Sequence, residues 1–206
     1  MIDLYTVPTA NGQKIHIMLE EAGLAYTPHL MDLTGGQHRT PEFRKLNPFA
    51  RVPVIVDHDG PGNSDFVVCE TTAILRYLAR KAGLFRPDDL RQRTQVDQWL
   101  SFINTNIGPL FRGEFMFASV VPVRGAVDYF VAEAEKALGI LNEFLADKTY
   151  FVGEAYSIAD INAYPVAATS SKRLPKGLEP YPHLQRWAEN IATRPAVQRG
   201  MKLFAK

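Results

Sequence analysis

The sequence predicts an α/β domain followed by an all-α helical bundle. Three observations predict it. Strand-like and helix-like segments alternate through the first 85 residues, the strand signals stop after Phe85-Arg86-Pro87-Asp88-Asp89, and the remainder keeps helical spacing alone.

Residues 2–7 read as a strand, and Pro8-Thr9-Ala10-Asn11-Gly12 as a turn. A helix follows, with Ile15, Met18, Leu19 and Ala22 on one face and Gly23 as its stop. Residues 26–33 form a weaker second strand, followed by a Gly35-Gly36 loop and a short helix over residues 41–46. Residues 52–57, rich in Val and Ile, make a third strand. Gly60-Pro61-Gly62-Asn63 turns the chain into a fourth at 66–69, the spacing of an antiparallel hairpin. Residues 70–82 close the unit as a helix, with Ala73, Ile74, Tyr77 and Leu78 as its buried side and Gly83 as its stop. The order β-α-β-α-β-β-α is the thioredoxin-like order.

In the second half Trp99, Ile103, Ile107 and Leu110 keep helical spacing, as do Val127, Val131, Ala134, Leu138, Leu141 and Leu145. Residues 112–124 are the least regular stretch. Tyr156-Ser157-Ile158-Ala159-Asp160-Ile161 reads as a helix start in which Ser157 and Asp160 form a capping box, with Tyr156 and Ile161 at the staple positions. The change of pattern near Pro87 divides the chain into residues 1–85 and 86–206.

Composition narrows the function classes. Hydrophobic residues make up 46% and charged residues 22%, the formal net charge is +1, and no basic run suits a polyanion. The longest apolar stretches are strand-sized, and the opening MIDLYTVPT lacks the pattern of a secretory signal. The single Cys69 excludes an internal disulfide and a CxxC motif, so a cytoplasmic setting is expected. The five histidines show no metal-binding spacing, so no metal is expected.

Three stretches offer chemistry. At Arg51-Val52-Pro53-Val54, a cis Val52–Pro53 bond would leave the Val52 backbone free to pair with an extended peptide; an ordinary trans edge proline is the alternative. At Cys69-Glu70-Thr71-Thr72 a strand runs into a helix whose free amides favour a carboxylate, with the Thr71 hydroxyl as a further donor and Glu70 placed to hold an ammonium. Simple helix capping by Glu70 and Thr71 is the other reading. At Thr9-Ala10-Asn11 the Thr9 hydroxyl, the Asn11 amide and the helix N-terminus favour a thiolate, unless Asn11 serves only the turn. Holding a thiol of pKa ~8.5 ionised at neutral pH needs roughly 2.7 kcal/mol, within reach of two charge-assisted hydrogen bonds.

The order and spacing of these stretches resemble the cytosolic glutathione transferases over nearly the whole chain. The resemblance is carried by Gly35-Gly36-Gln37-His38, Pro41-Glu42-Phe43, Leu46-Asn47-Pro48, Arg51-Val52-Pro53-Val54-Ile55-Val56-Asp57, Glu70-Thr71-Thr72-Ala73-Ile74-Leu75-Arg76-Tyr77-Leu78 and Tyr156-Ser157-Ile158-Ala159-Asp160. The opening through Lys14 is similar to the bacterial nu class, whose members include glutathione-dependent disulfide reductases, and to the transferase-like domain of the yeast nitrogen regulator. The resemblance implies the glutathione transferase fold, glutathione as co-substrate, and a homodimer. It implies that Val52, beside a cis Pro53, pairs with the cysteinyl part of glutathione. Glu70 and Thr71 hold the γ-glutamyl end, Gln37 and His38 reach the glycyl end, and Thr9 and Asn11 sit at the sulfur.

The chain also departs from the family. Position 10 is Ala, so the cysteine of beta-class enzymes is missing. Tyr129 and Phe130 stand where nu-class relatives tend to carry an arginine, with Arg112 or Arg124 as possible substitutes. Tyr5, the tempting tyrosine, lies inside the first strand and reads as core, and Cys69 reads as an inert strand-end thiol. Phe111, Phe115, Met116 and Phe117 are candidates for an apolar second-substrate pocket or for core. The implied activity is glutathione-dependent disulfide-bond reduction with some conjugation to electrophiles. The rival is a glutathione-binding or regulatory protein with little turnover.

Overall fold

The computed structural model describes residues 1–204. Its contacts divide the chain into Met1–Leu84 joined by a C-terminal segment from Arg194, and Phe85–Thr193.

The first unit is built on four strands, β1 (Ile2–Thr6), β2 (Tyr26–Leu30), β3 (Val54–Gly60) and β4 (Ser64–Cys69), in the order β2-β1-β3-β4. β2 runs parallel to β1, with Ile2 opposite Tyr26, whereas β3 is antiparallel to both β1 and β4. Alternation in β1 buries Ile2, Leu4 and Thr6. β2 ends at Leu30, three residues before its expected end, because the Asp32 carboxylate accepts from the Gly35 amide at 2.7 Å and turns the chain. β3 begins at Val54, after Pro53, which has no amide for the ladder, and runs on to Gly60.

Helix α1 (Ala10–Ala22) stops at Gly23 (φ 62°), and α3 (Thr71–Ala82) stops at Gly83 (φ 68°). Between them lies the short α2 (Pro41–Leu46), whose N-cap Thr40 accepts from the Phe43 amide at 3.3 Å. The buried side of α3 is Ile74, Leu75, Leu78 and Ala79; Ala73 is exposed and Tyr77 half-buried, a rotation from the expected face. Tyr77 turns outward because its hydroxyl donates to the buried Asp57 carboxylate, which also meets Lys81 at 2.8 Å.

In the second unit α4 (Leu90–Phe102) continues through a π-helical turn into α5 (Gly108–Phe115), and a second such turn carries it to Val120. The irregularity expected at 112–124 is thus confined to residues 121–123, after which α6 (Arg124–Phe144) begins. α7 (Ile158–Pro165) is buried along its whole length, and α8 (Pro182–Ala192) packs against it. The capping box forms. Asp160 Oδ2 accepts from the Ser157 amide at 3.0 Å, and Ser157 Oγ accepts from the Ala159 amide at 3.2 Å. Asp160 Oδ1 also accepts from the Phe151 amide and from Trp187 Nε1, both at 3.0 Å, so one carboxylate ties α7 to a loop and to α8. Around it Trp99, Phe144, Phe151 and Trp187 stack into an aromatic core with ring separations of 4.3–6.1 Å.

The last helix, α9 (Pro195–Lys202), belongs to the first unit and lies against α1. Arg194 clasps Glu21 at 2.6 and 2.8 Å, Arg199 meets Glu20 at 2.6 Å, and Val197 is fully buried. Nothing in the pattern of a helix that follows other helices distinguishes this return.

Candidate active site at one edge of the sheet

The three stretches singled out in the sequence converge because of strand direction. Tyr5 pairs with Val54, and Val54 pairs with Cys69. The C-terminal end of β1, the N-terminal end of β3 and the C-terminal end of β4 therefore share one edge of the sheet. Parallel pairing of β2 with β1 sends the loop carrying Gln37 and His38 from that same edge. The N-termini of α1 and α3 both begin there; α1 has no acidic residue at its start and presents uncompensated positive potential, whereas Glu70 stands at the N-cap of α3.

At α1 the Thr9 backbone does the capping: its carbonyl accepts from the Gln13 amide at 2.8 Å, and its own amide donates to Val7 at the same distance. The Thr9 side chain makes no cap hydrogen bond. Thr9 and Asn11 are both exposed, and Asn11 falls within the first helical turn instead of capping it. Among the described residues no hydrogen bond engages their side-chain donors. Below them Thr6 Oγ lies 2.9 Å from His16 Nε2, whose Nδ1 faces the Gly200 carbonyl at 3.3 Å. The carbonyl requires a proton on Nδ1, so Nε2 accepts. Burial lowers His16 to about 4 and keeps it neutral.

The Val52–Pro53 peptide is cis. Val52 lies just outside the β3 pairings, with its side chain packed on the cluster of Val7, Met31, Phe43 and Val54. Asn47, itself buried, holds the preceding loop. Its Nδ2 donates to the Arg51 carbonyl at 2.8 Å and its Oδ1 accepts from the Phe49 amide at 3.1 Å. In the sequence Asn47 stands out only within the Leu46-Asn47-Pro48 match and with no role at the site, although Asn between Leu46 and Pro48 is the composition of a side-chain-closed turn.

Glu70 stands before α3 at φ 68° and ψ 121°, a conformation non-glycine residues rarely adopt and one worth about 1–3 kcal/mol of strain. Its carboxylate makes no cap hydrogen bond and is exposed, so the capping alternative does not hold for Glu70. Thr71, in contrast, is buried and engaged in a contact of its own.

Gln37 is engaged by its own loop: its Oε1 accepts from the Asp32 amide at 2.9 Å, and its amide hydrogens remain to offer. His38 Nε2 accepts from Arg39 Nε at 3.2 Å, while its buried Nδ1 has no hydrogen-bond partner among the described residues.

Tyr5 stacks on His29 at 4.8 Å within the sheet, and burial raises its phenol above the usual value. Cys69 packs on the Val7, Met31, Phe43 and Val54 cluster. In the second unit Phe111 is buried, 5.7 Å from the Arg173 guanidinium, and Phe117 stacks on Phe130 at 5.7 Å, whereas Phe115 and Tyr129 are exposed. Arg112 and Arg124 are exposed as well. Among the described residues no group of three or more His, Cys, Asp or Glu is arranged to hold a metal ion, and no helix is long and apolar enough to cross a membrane.

Comparison with known proteins agrees with this architecture. Residues 10–81 match the glutathione S-transferase N-terminal domain and residues 113–195 its C-terminal domain. The disulfide-bond oxidoreductase YfcG of Escherichia coli is 38% identical over 98% of this chain and 94% of its own length. YghU of the same organism, also named a disulfide-bond oxidoreductase, is 33% identical over 97% and 73%. A glutathione transferase from Pseudomonas putida, solved with one glutathione disulfide per subunit, superposes with a TM-score of 0.92 at 36% identity, covering 99% of this chain and 92% of that one. One from Burkholderia graminis, with two glutathione molecules per subunit, gives 0.93 at 36% identity, covering 100% and 89%. The chain belongs to the glutathione S-transferase family.

Proposed function

We propose that the protein binds glutathione along this sheet edge, holds its sulfur as a thiolate, and uses it to reduce disulfide bonds. The observation that carries the reading is the pair of uncommitted donors, Thr9 and Asn11, on a helix N-terminus with no acid in its first turn. The Val52 backbone, two residues before β3 and outside its pairings, is suited to pair with the cysteinyl residue, and Glu70 to grip the γ-glutamyl ammonium. Gln37 and His38 complete the reading at the glycyl end, and Thr71 at the α-carboxylate. The two Escherichia coli relatives named as disulfide-bond oxidoreductases support this chemistry over conjugation alone.

With Ala at position 10 and Cys69 set among apolar side chains, no protein thiol serves as nucleophile. The glutathione thiolate attacks one sulfur of the substrate disulfide, forming a mixed disulfide and releasing one thiol. A second glutathione thiolate then attacks the glutathione sulfur of that intermediate, giving glutathione disulfide and the second substrate thiol. Two donors on the thiolate account for its ionisation at neutral pH. A homodimer in the cytoplasm completes the reading, and sedimentation of the purified chain checks its dimeric part.

The test is initial rates with glutathione against 2-hydroxyethyl disulfide and 1-chloro-2,4-dinitrobenzene, for wild type, Thr9→Ala and Asn11→Ala. Disulfide reduction that falls by about tenfold or more in either variant is the expected result. Glutathione binding without turnover of either substrate would leave a binding protein in place of an enzyme.

A further inference from the structure

The first turn of α1 carries Asn11 and follows Thr9, whose side chain makes no cap hydrogen bond, the device that usually fixes a helix start. Its place is set by what lies beneath it. A Cβ on Gly12 would stand 2.0 Å from the Val7 carbonyl oxygen and 2.6 Å from Thr6 Oγ, so the turn rests on these two atoms. The Val7 carbonyl also accepts from the Thr9 amide at 2.8 Å.

Thr6 Oγ is itself held from the far side. Thr6 and His16 are fully buried with Oγ and Nε2 2.9 Å apart, and His16 Nδ1 donates to the Gly200 carbonyl of α9 at 3.3 Å. A carbonyl only accepts, so Nε2 is left as an acceptor. The one hydroxyl proton of Thr6 then goes to Nε2, ahead of the more distant Val7 carbonyl at 3.3 Å. Gly200, His16 and Thr6 thus form a directed chain of hydrogen bonds that starts on α9 and ends against Gly12, the neighbour of Asn11.

The start of the chain is anchored as well. A Cβ on Gly200 would lie 2.7 Å from the Ile17 amide nitrogen, which leaves α9 no room to approach α1 further. Phe204 meets the His16 ring edge-on at 6.5 Å, and Arg194 and Arg199 clasp Glu21 and Glu20. His16 is neutral, so the chain acts by position and not by charge.

We propose that α9 is a working part of the thiol site: through His16 and Thr6, two positioning residues, its docking fixes the first turn of α1 and with it the aim of the Thr9 and Asn11 donors. The inference rests on the glutathione reading above and adds a C-terminal element to it. Hydrogen bonds weaken steeply with length and angle, and such a site works when held to within about 0.5 Å. With α9 docked, the thiol proton passes to solvent and the sulfur stays on the two donors as thiolate. With the chain broken the donors lose their aim and the thiol keeps its proton. No other bond changes. Linkage makes the effect reciprocal: the thiolate favours docked α9 by the same factor.

The experiment titrates the thiol of bound glutathione by ultraviolet absorbance in wild type, Thr6→Val, Thr6→Ser, His16→Phe and the Thr6→Val/His16→Phe double variant. The affinity of each for S-methylglutathione is measured beside it. Valine keeps the shape of threonine without the hydroxyl, and serine keeps the hydroxyl. Thr6→Val and His16→Phe are each expected to raise the thiol pKa by about one unit, a tenfold change. The double variant should rise no further than either alone, as two breaks in one chain do. Thr6→Ser should keep the wild-type value, and S-methylglutathione should bind all alike. An unchanged thiol pKa in a folded, ligand-binding Thr6→Val, or shifts that add in the double variant, overturns the chain and leaves the glutathione reading standing. An ordinary thiol pKa in the wild type, or no glutathione binding, overturns both. Should the variants fail to fold, hydrogen exchange of the wild type decides. The amides of α9 are expected to exchange about tenfold more slowly with glutathione bound than with S-methylglutathione; equal exchange in the two complexes overturns the proposal.

Discussion

A Cβ at position 12 would stand 2.0 Å from the Val7 carbonyl oxygen and 2.6 Å from Thr6 Oγ. Only glycine lets the first turn of α1 lie directly on the end of β1, and that contact sets where Thr9 and Asn11 point. Gly12→Ala should therefore cost about 2 kcal/mol in urea unfolding, as overpacking against fixed backbone does, and should lower the proposed disulfide reductase activity beyond what the stability loss explains. Asn47 plays the equivalent part for Val52. Asn47→Ala leaves the Arg51 carbonyl and the Phe49 amide without their partner, for about 1–3 kcal/mol. Its expected signature is weaker glutathione binding with little change in the thiol pKa, read by calorimetry and thiolate absorbance.

At the scale of elements, α7 depends on Asp160, which supplies the return half of a capping box and two further acceptor contacts. Burial raises this carboxylate to about 6 despite the donors around it. Asp160→Ala removes the partner of the Ser157 and Phe151 amides and of Trp187 Nε1 together, and about 3 kcal/mol or more of stability should go with it. The sheet carries a different device. His29, Asp3, His58 and Asp65, one from each strand, form a chain of contacts of 3.1, 3.0 and 2.9 Å across β2, β1, β3 and β4. The hydrogen bond to Asp3, then that to Asp65, raises the His58 imidazole, and the hydrogen bond from His58 lowers Asp3. A raised histidine adds stability that is complete below its ordinary value and is lost as pH climbs through the raised one. A lowered aspartate adds stability that is lost as pH falls through its lowered value. The gap in urea midpoint between wild type and His58→Gln should thus be present below about pH 6.5, the ordinary histidine value, and shrink as pH climbs through the raised one.

At the scale of the molecule, the return of α9 makes the first unit discontinuous in sequence. Gly200 permits it, since a Cβ there would lie 2.7 Å from the Ile17 amide nitrogen. Gly200→Val should displace α9 from α1, with a cost of about 3 kcal/mol falling mainly on the first unit. Both tryptophans, Trp99 and Trp187, lie in the second unit. The expected outcome is a far-UV unfolding transition that moves to lower denaturant while the tryptophan fluorescence transition moves less.

Much of this was legible from residues alone. The periodicity of β1, α1 and α3, the glycine stops at 23 and 83, and the Ser157–Asp160 box are local devices, each encoded within a turn or two of chain. Such patterns sufficed to predict the fold class and to single out Thr9, Asn11, Val52 and Glu70 as separate stretches with suitable chemistry. Their convergence was not legible in any one of them, because it follows from pairings between Tyr5 and Val54 and between Val54 and Cys69, and strand order is a property of the assembled sheet. Tertiary structure likewise decided that Glu70 sits at positive φ with its carboxylate uncommitted, that Gln37 spends its oxygen on its own loop, that Lys14 is buried, and that α9 folds back on α1. Each of these depends on what lies across space from a residue, which sequence spacing does not record.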